Sequence, residues 1–231
     1  SSNPDLQDNW PPQLLVSRGY FIVFEGIDGS GTSTQCRMLA DYLHKSGIPY
    51  TLTREPGGTP AAEKIRDLVL DPALGDISGL AELLLIEASR SQHVDELIRP
   101  ALERRKIVIC DRYIASSLAY QGYGRGIDLD IVRQVNRIAV GGCEPDLTIY
   151  LDLPLEVAKK RRDERGEFAD RLEQEGESLQ EKVARGYREI SNSDDMALIL
   201  DARRTVDQLA GDVREALRER WHGFPFEENR L

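Results

Sequence analysis

A glycine-rich turn near the start of the chain contains the first residues whose types and spacing could do chemistry. An apolar run at 20–24 predicts a short buried strand, and a segment with helical spacing follows the turn. Backbone N–H groups can approach phosphate oxygens there because glycine has no Cβ, and a helix N-terminus adds partial positive charge. The turn predicts a nucleotide phosphate site, the alternative being a tight turn whose glycines serve only the backbone. Its residues are Gly26, Asp28, Gly29, Ser30, Gly31, Thr32, Ser33 and Thr34.

One position in this turn departs from the phosphate-loop consensus G-x-x-x-x-G-K-[ST]. Gly26, Gly31 and Ser33 fit the consensus, but Thr32 stands where lysine is expected. Ser33 supplies the hydroxyl expected on Mg²⁺. A missing lysine removes a cation from the phosphates, so we expect another cation to replace it.

Carboxylates and arginines follow several predicted strands. Glu25, Asp28 and Asp111 could hold a metal ion through water or orient an acceptor hydroxyl, or they could be solvated loop residues. Arginine forks match pairs of phosphate oxygens. Three arginines on different elements could converge on one cleft, although each alone could form a surface ion pair: Arg54, Arg90 and Arg112.

A second set of arginines is clustered later in the chain, at Arg161, Arg162, Arg165 and Arg171. One interpretation is a mobile lid that closes over donor phosphates and excludes water, with Gly166 as a flexible point. The other is a solvated helix face that acidic neighbours balance. We favour the lid, because the loop lacks its lysine.

Composition restricts the class of protein. A net charge of −10 over 231 residues argues against a protein that binds the phosphate backbone of nucleic acid. The three isolated cysteines predict packing residues in a reducing, cytoplasmic setting. No membrane-spanning run or signal peptide is expected.

Helical segments alternate with short apolar strands throughout the chain. This pattern predicts an α/β fold, a doubly wound five-stranded parallel sheet with helices on both faces. A long helix is expected at 80–97, and a polar and aromatic loop at 116–126. The strands are predicted at 20–24, 50–53, 107–110, 147–151 and 197–200.

Four motifs, in order along the chain, resemble those of thymidylate kinase. They are F-E-G-I-D-G-S-G at 24–31, T-R-E-P-G-G-T at 53–59, D-R-Y-I-A-S-S-L-A-Y-Q-G at 111–122 and P-D-L-T-I-Y-L-D at 145–152. The resemblance implies a P-loop nucleoside monophosphate kinase that uses Mg²⁺ and transfers the γ-phosphoryl group of ATP to dTMP, giving dTDP. It further implies a homodimer. It also implies the bacterial type of the enzyme, in which the basic residues lie in the lid. ATP and dTMP are the expected partners, with no nucleic acid polymer and no membrane.

Matched by motif position, the resemblance assigns a role to each candidate residue. Asp28 would bind the sugar 3′-hydroxyl, and Arg54 and Arg112 the acceptor phosphate. Arg90 and Ser117 would read the thymine edge. The implied dTMP site comprises Asp28, Arg54, Ile86, Arg90, Arg112, Ser117, Tyr120 and Gln121. The implied ATP site comprises Gly26, Asp28, Gly29, Ser30, Gly31, Thr32, Ser33 and Thr34. The implied metal site comprises Ser33 and Asp111. The implied catalytic residues are Asp28, Arg112, Arg161, Arg162 and Arg165.

Two departures from the family pattern leave alternatives open. Ile86 stands where the family often has a phenylalanine stacked on thymine, so the acceptor could be another deoxynucleoside monophosphate. Thr32 leaves open a nucleotide-binding relative without turnover. The expected organisation is a flexible leader at 1–18, a P-loop kinase domain at 19–222 with a lid at about 160–175, and a tail at 223–231.

Overall fold

The computed structural model describes residues 18–166, 170–172, 175 and 177–220. The predicted tail lies outside these residues, as does the predicted leader apart from Arg18. The Arg18 guanidinium donates a hydrogen bond of 2.7 Å to the Asp146 carboxylate. None of the described helices combines the length and apolar composition that a membrane crossing needs.

Five parallel strands form one sheet in the order β2-β3-β1-β4-β5, which confirms the predicted sheet. The central strand β1 pairs with β3 on one side and β4 on the other, so that Phe24 lies beside Asp111 and Ile149. The carboxyl ends of β1 and β3 therefore meet at one edge. The strands are β1 Tyr20–Glu25, β2 Tyr50–Arg54, β3 Ile107–Asp111, β4 Leu147–Asp152 and β5 Ala197–Asp201.

Both faces of the sheet are covered, which explains the continuous apolar runs of its central strands. Ile22 and Phe24 enter a core shared with helix α1, whereas Phe21 and Val23 enter a second core on the opposite face. The helices are α1 Thr32–Lys45, α2 Pro60–Leu70, α3 Gly79–His93, α4 Arg99–Glu103, α5 Ile114–Ser117, α6 Leu129–Val140, α7 Leu155–Arg165, α8 Glu177–Ser193 and α9 Val206–Arg220. The predicted helix at 80–97 corresponds to α3 and to a π-helical turn, Val94–Ile98, that joins it to α4.

The prediction of a loop at 116–126 is wrong, because residues 116–124 of this segment are helical. Helix α5 continues directly into a π-helical segment, Leu118–Gly124. Its glycines allow close packing rather than a turn. A Cβ at Gly122 would lie 2.6 Å from the Leu129 side chain, and one at Gly124 would lie 2.7 Å from the side chain of Leu179 on α8. Tyr120 and Gln121 are thereby fixed on a buried helical wall.

Candidate active site

A cleft of about 530 Å³ opens at the carboxyl ends of β1, β2 and β3. It brings together most of the predicted site residues. Those that line it are Asp28, Gly29, Gly31, Thr32, Ser33, Thr34, Arg54, Ile86, Arg90, Asp111, Arg112, Ser117, Tyr120, Gln121 and Arg165. Those that are not part of its lining are Gly26, Ser30, Arg161 and Arg162.

The phosphate loop, residues 26–34, takes a backbone conformation that depends on glycine. Gly29 and Gly31 have φ angles of 85° and 93°, in the left-handed region. A Cβ at Gly29 would also lie 2.5 Å from the carbonyl oxygen of Ala158 on α7. Helix α1 begins at Thr32, within this loop, so its free N–H groups face the cleft. The loop and the helix can thus receive an anion.

Ser33 and Asp111 meet where β1 and β3 end. The Ser33 hydroxyl donates to one oxygen of the Asp111 carboxylate. The other oxygen, Oδ1, is buried and has no hydrogen-bond partner in the described part of the chain. A hydroxyl beside an unpartnered carboxylate oxygen is a donor set that suits a hard cation such as Mg²⁺. Among the described residues no group of three or more His, Cys, Asp or Glu side chains forms a metal cage.

Arg112 lies at the centre of the cleft in a left-handed conformation, with φ of 72°. Its guanidinium donates to Asp28 Oδ1 at 3.0 Å and to the Tyr187 hydroxyl at 3.0 Å. It also lies 5.7 Å from the ring centroid of Tyr120. These contacts hold a cation between the phosphate loop and the helical wall.

Glu25 does not line the cleft but supports this arrangement from the protein interior. It is fully buried and accepts hydrogen bonds from the Tyr113 backbone N–H at 2.6 Å, the Ser116 hydroxyl at 2.6 Å and the Tyr187 hydroxyl at 2.9 Å. Burial raises the pKa of Glu25 to about 7, although the charge of Arg112 and these hydrogen bonds oppose the rise. Tyr187, which the sequence marked only through the four-residue spacing of an amphipathic helix, therefore links α8 to the site.

Arg90 forms the far wall of the cleft and is almost fully buried. It donates to Glu55 and Glu87, each at 2.7 Å, to Asn136 at 2.8 Å and to the Ser117 hydroxyl at 2.9 Å. Buried arginine with two carboxylates gives a fixed group that offers only N–H donors. The sequence predicted Arg90, which lines the cleft, but gave no sign of its partners Glu87 and Asn136.

The remaining arginines divide between the cleft and its surroundings. Arg54 pairs with Glu63 at 2.9 Å at the exposed mouth of the cleft. Arg37 and Arg66 also line the cleft, although they were not predicted. The signal for Arg37 was helical spacing, since it lies three residues beyond Thr34 on α1.

The predicted lid arginines do not all lie in one place. Arg165 lines the cleft, whereas Arg161 donates to the Ala202 carbonyl at 3.0 Å. Arg162 packs close to the loop, since its Cγ lies 3.0 Å from the position of a Cβ at Gly29. Arg171 does not line the cleft and donates to the Val69 carbonyl at 2.7 Å.

A model of the Thymidylate kinase family matches residues 24–213. The chain belongs to the thymidylate kinase family. It is 46% identical to the thymidylate kinase of Symbiobacterium thermophilum, over 86% of this chain and 92% of that protein. It is 44% identical to that of Deinococcus radiodurans, over 90% of this chain and 100% of the relative. The crystal structure of thymidylate kinase from Ehrlichia chaffeensis superposes with a TM-score of 0.71 at 33% identity, covering 87% of this chain and 98% of that chain.

These similarities confirm the family predicted from the four motifs. They also confirm the P-loop nucleoside monophosphate kinase fold and a kinase function. The match covers 92% and 100% of these two relatives' own chains.

Proposed function

We propose that this phosphotransferase transfers the γ-phosphoryl group of ATP to dTMP, giving dTDP and ADP. One observation carries the proposal: a single cleft joins the phosphate loop to the wall that bears Arg90, Ser117 and Gln121. A donor and an acceptor can therefore meet in it. The thymidylate kinase names of relatives at 44–46% identity support the same acceptor.

In the donor half, the phosphate loop and the N-terminus of α1 would bind the triphosphate through backbone N–H groups. Ser33 and Asp111 would hold Mg²⁺, whose chemistry is to neutralise the charge of the β- and γ-phosphates. The unpartnered Asp111 Oδ1 supports this assignment. Loop residues 26–34, including Gly26 and Ser30, are assigned to ATP.

In the acceptor half, Arg112 and Arg54 would bind the dTMP phosphate and place its oxygen in line with the donor. Asp28 would accept a hydrogen bond from the sugar 3′-hydroxyl, and its ion pair with Arg112 orders both groups. The ring of Tyr120 would pack against the sugar. The base would lie against Ile86, with Arg90, Ser117 and Gln121 at its edge.

Charge on the transferring group would be balanced by arginines in place of the missing loop lysine. Arg161, Arg162 and Arg165 on α7 are the proposed donors of this charge. Arg165 has the strongest support, because it already lines the same cleft as Thr32. Arg112 provides a second positive charge between the two substrates.

We further propose that the enzyme is a homodimer that forms through α3 and α6. These helices pack against each other, and each exposes two large aliphatic side chains. These are Leu80, Leu84, Ile131 and Ile138. Exposed aliphatic side chains concentrated on one pair of helices are typical of a subunit interface.

We also propose the cytoplasmic location expected from the sequence, supported by three free, buried cysteines.

The test is an ADP-release assay with ATP and Mg²⁺ and a panel of nucleoside monophosphates. We expect dTMP to give the highest kcat/KM. Preference for another deoxynucleoside monophosphate would keep the chemistry and change the acceptor. Tight ATP binding without turnover on any acceptor would overturn the proposal in favour of a non-catalytic relative.

A further inference from the structure

Glu82 on α3 is a fully buried carboxylate that is not part of the cleft lining. Its Oε1 accepts hydrogen bonds from Gln121 Nε2 at 2.7 Å and from Arg125 Nε at 3.2 Å. Its Oε2 accepts from Arg125 Nη2 at 3.1 Å and from Arg171 Nη2. Two guanidinium groups thus balance its charge, and a neutral amide completes the set. Glu82 is therefore held in one position by ion pairs on one side and bonds the Gln121 amide on the other.

Gln121 is buried and lines the cleft, and its orientation follows from Glu82. An ionised carboxylate only accepts hydrogen bonds, so it selects the NH₂ group of the amide. The amide oxygen Oε1 is left on the other branch, buried and without a hydrogen-bond partner among the described residues. A buried, unpartnered acceptor in a ligand cleft is available to accept a hydrogen bond from the ligand.

Arg90 provides the hydrogen-bond donor that complements the acceptor of Gln121. It offers only N–H donors and lines the same cleft. A donor from Arg90 beside the acceptor of Gln121 matches a pyrimidine with a carbonyl at C4 and an N–H at N3, as in thymine and uracil. Cytosine presents the reverse, an amino group at C4 and an acceptor at N3.

We propose that Glu82 is a positioning residue that determines base specificity by fixing the Gln121 amide with its oxygen available to the base. This inference rests on the proposed dTMP kinase function and adds to it. Glu82 does not touch the substrate; it acts through Gln121. Without the Glu82 carboxylate, the Gln121 amide can rotate by half a turn and present its NH₂ group to N3 of cytosine.

The test compares kcat/KM for dTMP, dUMP and dCMP in the wild type and in Glu82→Gln. The glutamine side chain can donate to Gln121 Oε1, so it releases the amide orientation. We expect the dTMP-to-dCMP ratio to fall at least tenfold. The dTMP-to-dUMP ratio should stay within about twofold, because these bases differ only in a methyl group away from N3. A merely structural role would lower all three values together.

Glu175 provides a matched control, since it pairs with Arg125 and Arg171 but does not contact Gln121. Glu175→Gln removes a carboxylate from the same arginines and should leave both ratios unchanged. Glu82→Asp keeps the carboxylate and should keep most of the preference for dTMP. If Glu82→Gln does not fold, Glu82→Gln combined with Arg171→Met balances the charge, and Arg171→Met alone is its control.

The inference is overturned if a folded Glu82 variant without the carboxylate keeps the wild-type dTMP-to-dCMP ratio. It is equally overturned if Glu175→Gln or Arg171→Met lowers that ratio as much. Wild-type enzyme that turns over no dTMP would instead contradict the proposed function, so the two failures are distinguishable.

Discussion

Thr32 places a hydroxyl at the position where a P-loop ordinarily has a lysine ammonium, so the donor phosphates need charge from elsewhere. Arg165 lines the same cleft. We expect Arg165→Ala to lower kcat roughly 100-fold, because a positioned cation at a developing phosphoryl charge is lost. In a Thr32→Lys background the same truncation should cost less than about tenfold, because the ammonium takes over. Steady-state kinetics of the four proteins measures this coupling.

Lys160 is the control for this cycle. It lies on the same helix, is mostly exposed and forms a long ion pair of 4.0 Å with Glu164. Lys160→Ala should leave kcat within about twofold of wild type. Equal losses from Arg165→Ala in both backgrounds would show that Arg165 does not replace the loop lysine.

The buried Glu25 makes folding stability depend on pH. Its pKa is about 7 in the folded protein and 4.5 in the ordinary carboxyl group. Between these values the unfolded state loses its proton while the folded state keeps it, so stability falls as pH rises and levels off above pH 7, once the folded state has also lost the proton. Relative to Glu25→Gln, the free energy of unfolding of the wild type should fall by about 3 kcal/mol between pH 4.5 and 7. Urea unfolding at several pH values measures it, and parallel curves for the two proteins would contradict it.

At the residue scale, local patterns identified groups that line the cleft but not those that hold them. The loop glycines and Gln121 belong to compact motifs and could be predicted. Glu82 accepts a hydrogen bond from Gln121, which lies 39 positions away in the sequence. Glu25 accepts one from Tyr187, which lies 162 positions away. No local periodicity marks such a pair, because only the fold brings its members together.

At the scale of elements, the strands were predictable because residues buried on both faces form continuous apolar runs. The helical wall at 114–124 was not, because its glycines indicate a loop when viewed locally. Gly186 on α8 shows the physical reason, since a Cβ there would lie 2.7 Å from the ring of Tyr123. The glycines of the wall and of α8 leave room for side chains of neighbouring segments. This role cannot be recognised from one segment considered alone.

Helix packing at this wall gives a paired prediction. Gly186→Ala should destabilise the protein by roughly 1–3 kcal/mol, because the new methyl group overlaps the Tyr123 ring. Gly211→Ala on α9 is the matched control, since the nearest atom to its Cβ would be 4.0 Å away on Arg214. That change should stabilise the protein by roughly 0.5–1 kcal/mol through helix propensity. Denaturant unfolding of both variants measures the difference, and equal effects would contradict the packing role.

At the scale of the whole molecule, the apolar faces of α3 and α6 predict self-association. Ile138 is 73% exposed, which leaves a large aliphatic surface in water unless a second subunit covers it. Ile138→Asp should shift the protein from dimer to monomer, because a charge would be buried at the interface. Light scattering coupled to size-exclusion chromatography measures the mass.

Met196 is the control for this charge substitution, because it is also exposed but lies next to β5 rather than on α3 or α6. Met196→Asp should leave the mass unchanged. A wild-type protein that is monomeric at micromolar concentration would overturn the proposed dimer.

Strand order also governs when the phosphate loop can take shape during folding. The strand before the loop pairs with β3, which begins at Ile107, and with β4, which begins at Leu147. Both pairings close long stretches of chain, whose entropy opposes early formation. A nascent chain on the ribosome therefore exposes one bare edge of β1 until β4 has been synthesised. Nucleotide binding should be gained late in translation, after most of the polypeptide has emerged.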